Sequence, residues 1–472
     1  MSRDKETVVG TTFTELDPIF HPRSAALIGA SGKPGKIGRV LMDRFLDMGF
    51  RDLYPVNPSE REILGIKAYP SVKDIPAPVD LALIVTPTNA VLPAVKDCAE
   101  KGVRAIVITS SGFGETGEKG LELEREMVRI ARLGGCRIIG PNCVGIYSPS
   151  SRLPFPLDAG KESGKVGVVS QSGFFADYLT LAASRNGIGF SKAVSCGNEA
   201  DLDASDFLGY LGEDPETELI VAYMEGARDG RRFHALAREI SMRKPVILLK
   251  GGTTQEGAQA AASHTGSLAG SGAIWEGVLR QTGIVSAKSF EEVLDCLYAF
   301  SCQPLPKGRR VGIVSGPGGI GVCTTDACLG LGLEVPPFSP QTLARLRRAM
   351  PVVGGSIRNP LDLSLASLVN PQVYADAISI LLEEENIDML LVVAVIGGEQ
   401  LRDILLKGLG DGGGKKPVAV TIMAGGPQSV AGDIALLLKS SIAAYPDGAR
   451  AARALARLSE FAEFKRGFQG NQ

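Results

Sequence analysis

From residue 24 onward, short runs of aliphatic and β-branched residues alternate with longer stretches whose apolar positions recur at helical spacing. The runs SAALIGAS (24–31), LYPVN, LALIVTP, AIVITSSG and CRIIGPN each end in small or polar residues, and each leads into a turn or an amphipathic pattern. Continuous apolar strands separated by helices predict parallel sheets with helices on both faces. Two Pro- and polar-rich stretches interrupt the alternation, SPSSRLPFPLDAGKESG (148–164) and SCQPLPKGRR (301–310). Both read as domain boundaries.

The segments that follow these boundaries resemble each other. KVGVVSQSGFFAD starts at Lys165 and RVGIVSGPGGIGV at Arg310, 145 residues later. Each reads as a buried strand ending in Ser, a small-residue turn and a helix, at an offset far beyond solenoid periods. The chain is therefore expected to hold three α/β domains, at 10–148, 160–303 and 308–466. GLGDGGGKKP (408–417) reads as a loop of the third, and ARAARALARLSEFAEF near the C-terminus as a helix docked on its own domain.

Bulk properties narrow the function. The 472 residues carry 50 Lys and Arg against 52 Asp and Glu, a formal charge of −2, which argues against a nucleic-acid-binding surface. The longest apolar run, Met389–Ile396, has eight residues, enough for a buried strand and far short of the ~20 that a membrane helix needs. The N-terminal stretch lacks the apolar core of a signal peptide. Eight scattered cysteines, with no Cys-x-x-Cys pair, suit reduced thiols, and a cytoplasmic location is expected. No metal site is expected. Glycine is abundant, at 58 residues, which suits tight turns where backbone approaches a ligand.

LIGASGKPGKIGRVLMDRF (27–45) reads as strand, glycine-rich turn and helix. Glycines 29, 32, 35 and 38 would let backbone amides and the positive end of the helix approach a pyrophosphate, or would merely close a tight turn. An NAD site should show an acidic residue at the end of the second strand, but DLYPVNP ends in Asn57 and Pro58, which points to another adenine nucleotide. Three further loops are small and polar, TPTNA (86–90), SSGFGETG (110–117) and GPNCVG (140–145), at the sheet edge where open parallel sheets bind ligands.

A second cluster lies in the middle of the chain. One of only three histidines, His264, sits in KGGTTQEGAQAAASHTGSLAGSG (250–272), where Leu268 is the sole large aliphatic and six residues are glycine. Such a segment reads as a loop without core anchors. A lone histidine is usually structural, yet few apolar neighbours stand here to hold it, and Thr265 and Ser267 could donate to an anion. In SQSG, Ser170, Gln171, Ser172 and Gly173 stand at a strand end opening a helix, which is either a phosphate site or an ordinary helix N-cap. Glu225 follows the apolar strand LIVAYM and is either solvated or used in chemistry. Glu199, in SCGNEADLD, is a weaker candidate carboxylate.

These motifs resemble those of the NDP-forming acyl-CoA ligases, the succinyl-CoA synthetase superfamily. IGAS with KIG (28–31, 36–38), YPVNP (54–58) and GPNCVGI (140–146) are similar to its coenzyme A-binding domain, and SHTGSLAG resembles the phosphohistidine loop of the ADP-forming acetate–CoA ligases. The resemblance spans about residues 15–465 with the layout of an α subunit. It implies a Rossmann-like CoA-binding domain followed by two flavodoxin-like doubly wound α/β domains. Coenzyme A, a substrate, would be held by Gly29, Ser31, Gly32, Lys36, Gly38, Asn57, Thr86, Pro87 and Asn142. Acyl phosphate or phosphate would meet Ser170, Gln171, Ser172, Gly173, Thr265 and Gly266. His264 would carry the phosphoryl group on a travelling loop, with Glu225 accepting a hydrogen bond from its imidazole. No ATP-grasp module is recognisable, so ADP or ATP and magnesium are expected on a separate β subunit, the other partners being small carboxylic acids, their CoA thioesters and phosphate. The competing readings are a Rossmann-type NAD-dependent oxidoreductase and a non-catalytic CoA-sensing protein.

Overall fold

The computed structural model describes residues 13–265, 271–316, 318–350, 355–364, 366–396, 399–409, 416–424 and 427–469. The first sheet is built from β1 (Ser24–Ile28), β2 (Asp52–Val56), β5 (Leu81–Ile84), β6 (Ala105–Ile108) and β7 (Arg137–Ile139). A hairpin of β3 (Glu62–Ile63) and β4 (Ile66–Lys67) is inserted after β2. The strands pair in parallel in the order β2-β1-β5-β6-β7. Helices α1 (Phe13–Phe20), α2 (Ile37–Met48), α3 (Thr88–Lys101) and α4 (Glu118–Leu133) accompany it.

The second sheet contains β8 (Ile146–Tyr147), β9 (Ser163–Ser170), β10 (Phe190–Ser195), β11 (Leu219–Met224), β12 (Val246–Lys250) and β13 (Val285–Ala287), in the order β13-β12-β11-β9-β10-β8. Its helices are α5 (Gly173–Ser184), α6 (Ala204–Glu213), α7 (Gly230–Arg243), α8 (Gln255–Thr265) and α9 (Gly272–Thr282). β8 runs antiparallel to β10, whereas β10, β9, β11 and β12 pair in parallel. The third sheet has β14 (Val311–Ser315), β15 (Leu361–Asp362), β16 (Met389–Ile396), β17 (Val418–Ala424) and β18 (Ala443–Tyr445), in the order β15-β14-β16-β17-β18. The two similar sequence segments thus become β9 with α5 and β14 with the helix Gly318–Gly330. Leaving aside the inserted hairpin and β8, each sheet follows the doubly wound order 2-1-3-4-5. That order reverses between the first and third strands, where such sheets bind ligands.

The sequence segments and the compact units do not coincide. One unit runs up to Ser184 and resumes at Gly189–Ser286, and the other comprises Arg185–Ile188 with the chain from Ala287. In the first unit a single apolar core draws on both sheets, from Leu16 and Leu27 to Phe207, Tyr210 and Leu248. There Phe20 stacks on Tyr210 with centroids 4.7 Å apart, and Tyr210 Oη donates to Asp17 at 3.1 Å. Buried apolar surface outweighs the Pro-rich punctuation at 148–164, because each Å² removed from water contributes ~25 cal/mol. In the second unit the helix Phe290–Cys302, placed with the second segment by its sequence, packs against the C-terminal helix Gly448–Gln469. There Arg450 pairs with the buried Asp295 at 2.7 Å. That C-terminal helix buries Leu455, Leu458 and Phe461, as its small and apolar spacing predicts. The glycine cluster at 408–417 lies largely outside the described residues. Among the described residues no helix is long and apolar enough to cross a membrane.

Candidate active site

A cleft of about 960 Å³ opens over the carboxyl ends of β1, β2 and β5, at the switch point of the first sheet. Of the residues expected at the CoA site, Gly29, Ser31, Lys36, Gly38, Asn57, Thr86 and Pro87 line this cleft. Gly38 explains the glycine spacing: a Cβ there would stand 2.1 Å from the carbonyl oxygen of Gly29, so only glycine lets α2 start against the β1 turn. Gly29 itself has φ +97°. Lys33 and Lys36 place two ammonium groups on the lining, and Lys36 is the N-cap residue of α2.

Other expected residues play different parts. Asn57 closes its own turn, accepting from Ser59 N at 2.8 Å and Glu60 N at 3.1 Å and donating to Ala30 O at 2.8 Å. Its carboxamide is thus engaged with the protein. Gly32 and Asn142 are absent from the lining. Asn142 instead donates to Asn198 Oδ1 at 3.3 Å from a backbone with φ +58°. The wall also includes Lys33, Glu60, Ser110, Ser111, Val144 and Pro156, none of them named singly from the sequence. Ser110 and Ser111 stand in a loop the motif search had flagged, whereas Pro156 comes from the stretch read as a linker.

The second cluster assembles at the switch point of the second sheet, between the ends of β9 and β11. Ser170 closes the SQSG turn on itself: its hydroxyl donates to Ser172 O at 2.6 Å and accepts from Ser172 N at 3.1 Å. Ser172 caps α5, its Oγ accepting from Phe175 N at 3.3 Å. The plainer helix-cap reading of this serine therefore holds, while its hydroxyl proton and the first amides of α5 still face an anion-favouring helix end. At Gly173 a Cβ would lie 2.9 Å from the Val144 side chain, so the turn abuts the wall of the cleft.

Gln171, 5% exposed, bridges the two strand ends. Its carbonyl accepts the amides of Glu225 and, at 3.1 Å, Gly226, and its amide donates to Gly226 O at 3.0 Å. The carboxamide expected on a phosphate is thus used to hold Glu225. Glu225 is 4% exposed rather than solvated. Tyr223 Oη donates to its carboxylate at 3.1 Å, and Lys250 Nζ donates to its main-chain carbonyl at 2.7 Å and to Gly251 O. Burial and then the Glu225 charge push the Tyr223 phenol up, and burial pulls the Lys250 ammonium down against the pull of Glu225. Glu199 lies beside the same network, its carboxylate accepting from Ala204 N at 2.9 Å. Burial, reinforced by Asp203, pushes its acid up to about 7.

The stretch around His264 departs from expectation. In place of a loop over 250–272, residues Gln255–Thr265 form α8, capped by Thr254 Oγ1, which accepts from Gly257 N at 3.0 Å, and anchored by the buried Ala261. The alanine-rich run supplies strong helix propensity that the flanking glycines obscured. The side chains of His264 and Thr265, and all of Gly266, lie outside the described residues. The segment begins beside Glu225: a Cβ on Gly251 would meet Tyr223 Oη at 2.6 Å and Glu225 Cγ at 3.3 Å. Among the described residues no group of three or more His, Cys, Asp or Glu side chains is placed to hold a metal ion.

Comparison with known proteins gives the site its setting. A CoA binding domain profile matches residues 23–149, and a succinyl-CoA ligase-like flavodoxin domain profile matches residues 163–300. The chain is 43% identical, over 81% of its length and 82% of the relative's, to the alpha subunit of an ADP-forming acetate–CoA ligase II of Pyrococcus furiosus. It is 38% identical to the ADP-forming acetate–CoA ligase I of Archaeoglobus fulgidus over 95% of this chain, but spans only 64% of that longer protein. A solved structure from Ca. Korarchaeum cryptofilum, a dinucleotide-forming acetyl-coenzyme A synthetase 1 in complex with phosphate and ADP, superposes with a TM-score of 0.87. It shares 36% identity and covers 97% of this chain and 98% of its own.

Proposed function

Because the chain belongs to the family of ADP-forming acetate–CoA ligases, we propose that it is the α subunit of an acid–CoA ligase. It interconverts acyl-CoA, ADP and phosphate with a carboxylic acid, ATP and CoA. The partner is an ATP-grasp β subunit that binds the nucleotide with magnesium. The observation that carries the reading is the buried Glu225 at a sheet switch point, its amide held by Gln171 and its carboxylate by Tyr223, flanked by the segment that bears His264.

In the direction of ATP formation, phosphate attacks the thioester carbonyl and the CoA thiolate leaves, giving acyl phosphate. The amides at the start of α5 and the Ser172 hydroxyl favour the negative oxygens of phosphate and of the tetrahedral intermediate. A ring nitrogen of His264 then attacks phosphorus, the bond from phosphorus to the acyl oxygen breaks, and the carboxylate departs. Glu225 accepts the N–H of the other ring nitrogen, which fixes the tautomer and stabilises the cation that forms as the phosphoryl group arrives. ADP on the partner finally takes the phosphoryl group, regenerating neutral imidazole. CoA occupies the first cleft, where Lys33 and Lys36 face its phosphates, and its thiol end reaches the SQSG turn past Val144.

Incubation of the purified chain with 32P-labelled acetyl phosphate tests this. Acid-labile, alkali-stable label on the wild type that disappears in His264→Asn is expected. Label retained in His264→Asn overturns the proposal.

A further inference from the structure

A single turn, Cys196–Ala200, connects the loops behind the cleft wall to the Glu225 site. Its backbone is pinned from each side: Cys196 N donates to Ser170 O at 2.7 Å, and Asn198 N and Ala200 N donate to Pro141 O and Gly140 O at 2.9 Å each. Gly197 and Glu199 take φ values of +55° and +58°. A Cβ on Gly197 would fall 2.1 Å from Pro141 O, so the contact admits no side chain there. Different residues of this turn face the two sides.

Asn198 serves the cleft side. Its Nδ2 donates to Glu115 Oε2 at 2.5 Å and to Glu124 Oε1 at 2.8 Å, and its Oδ1 accepts from Asn142 Nδ2 at 3.3 Å. Two ionised carboxylates only accept, so the amide must face them and the orientation is determined. Glu115 in turn accepts from Gly112 N and Phe113 N, and Glu124 from Gly114 N. Those amides belong to the loop that begins with Ser110 and Ser111 on the cleft wall. Cys196 serves the other side: its amide bonds Ser170 O, and the next residue, Gln171, holds the amides of Glu225 and Gly226.

We propose that Asn198 is a positioning residue that couples occupation of the cleft to the alignment of Glu225. The inference rests on the reading of the cleft as the CoA site and of Glu225 as the partner of His264. Ligand pressing on Ser110 and Ser111 displaces Glu115 and Glu124, these pull the Asn198 carboxamide, and the rigid turn carries the displacement through Cys196 to Ser170 and the adjoining Gln171. Asn198 touches no reacting atom and acts only through this chain of contacts.

The test follows labelling of His264 by 32P-acetyl phosphate with and without saturating CoA, in the wild type, in Asn198→Ala and in Asn198→Asp. The wild-type rate is expected to change by about 5-fold or more on adding CoA, the lower end of ordinary coupling, and that of Asn198→Ala by less than about 2-fold with its CoA-free rate retained. Asn198→Asp sets a third carboxylate against Glu115 and Glu124, with Glu199 and Arg228 as the other charged groups of the turn; Arg228 donates to Asn198 O at 3.4 Å. Its CoA response is expected to be lost at mildly alkaline pH and regained at mildly acidic pH, when the new acid recovers a proton to donate. A purely structural role would not restore coupling in this way. Label with an undiminished CoA response in Asn198→Ala overturns this proposal alone, whereas absence of label from the wild type defeats the reading beneath it.

Discussion

The side-chain carbonyl of Gln171 accepts the main-chain amides of both Glu225 and Gly226, so one buried residue just past the end of β9 holds the chain leaving β11 beside it. Glu225 needs this clamp because a strand end at a switch point has a neighbour on only one side beyond the last ladder bond.

Gln171→Ala removes the acceptor and leaves two buried amides unpaired. Each such loss costs ~1–3 kcal/mol, so an overall destabilisation of about 2–6 kcal/mol is expected in urea titration. Phosphohistidine formation should fall about 10–100-fold, the usual cost of losing a residue that orients a reactive one. A variant as stable and as reactive as wild type would show that the clamp is dispensable.

Glu199 gives the fold a pH dependence of definite sign. Its acid is raised from 4.5 to about 7 in the folded state, mainly by burial, so the folded protein keeps a proton that the unfolded chain releases. Its contribution is fully present below about pH 4.5, declines as pH rises, and beyond about pH 7 amounts to a cost on the order of 3 kcal/mol. Glu199→Gln should therefore raise the denaturation midpoint well above neutrality and leave it unchanged near pH 4.5. Equal effects at both pH values would rule out this assignment.

Gly38, at the start of α2, and Gly32, in the turn before it, should differ sharply on substitution. Gly38→Ala drives a methyl group toward the Gly29 carbonyl, which would stand 2.1 Å away, and overpacking of this kind costs ~1–3 kcal/mol. Gly32→Ala meets only the Glu60 carboxylate, at 3.3 Å, and should cost no more than ~0.5 kcal/mol. Calorimetric titration with CoA should show binding weakened about tenfold or more in the first variant, since one pKd unit is ~1.4 kcal/mol, and nearly unchanged in the second.

Asp201 joins the two halves of the first unit. Its buried carboxylate accepts from Arg132 at 2.6 Å, Arg137 at 2.8 Å and Ile138 N at 2.9 Å. Burial alone would raise it, but these partners together hold it below the ordinary carboxylate range. Asp201→Ala should cost about 3 kcal/mol, the low end for a broken buried pair because the Arg132 side chain is 59% exposed and can turn to water. The stability this group supplies is present above the unfolded value of 3.8 and lost as pH falls below it, so the difference between variant and wild type should shrink in acid.

What could be read along the chain was local. The β1 turn with Gly29 and Gly38, the SQSG helix start and the strand carrying Glu225 are each encoded within a few residues, as a strand period ending in small residues before a helix. The alternation of such units also implied parallel sheets, and the resemblance of KVGVVSQSG to RVGIVSGPGG marked equivalent first strands. The helix over Gln255–Thr265 was the local misreading, where glycine content outweighed an alanine run that a cap on Thr254 suffices to start.

Residues alone therefore determined which turns could receive an anion, because φ freedom, helix ends and amide supply are properties of neighbouring positions. Tertiary structure alone decided which side chains meet. Gln171 and Glu225 are 54 positions apart, and Asn198 and Glu115 are 83 apart. Their encounters depend on strand order in the second sheet and on a core shared between two sequence segments, both set by long-range burial rather than by any local pattern.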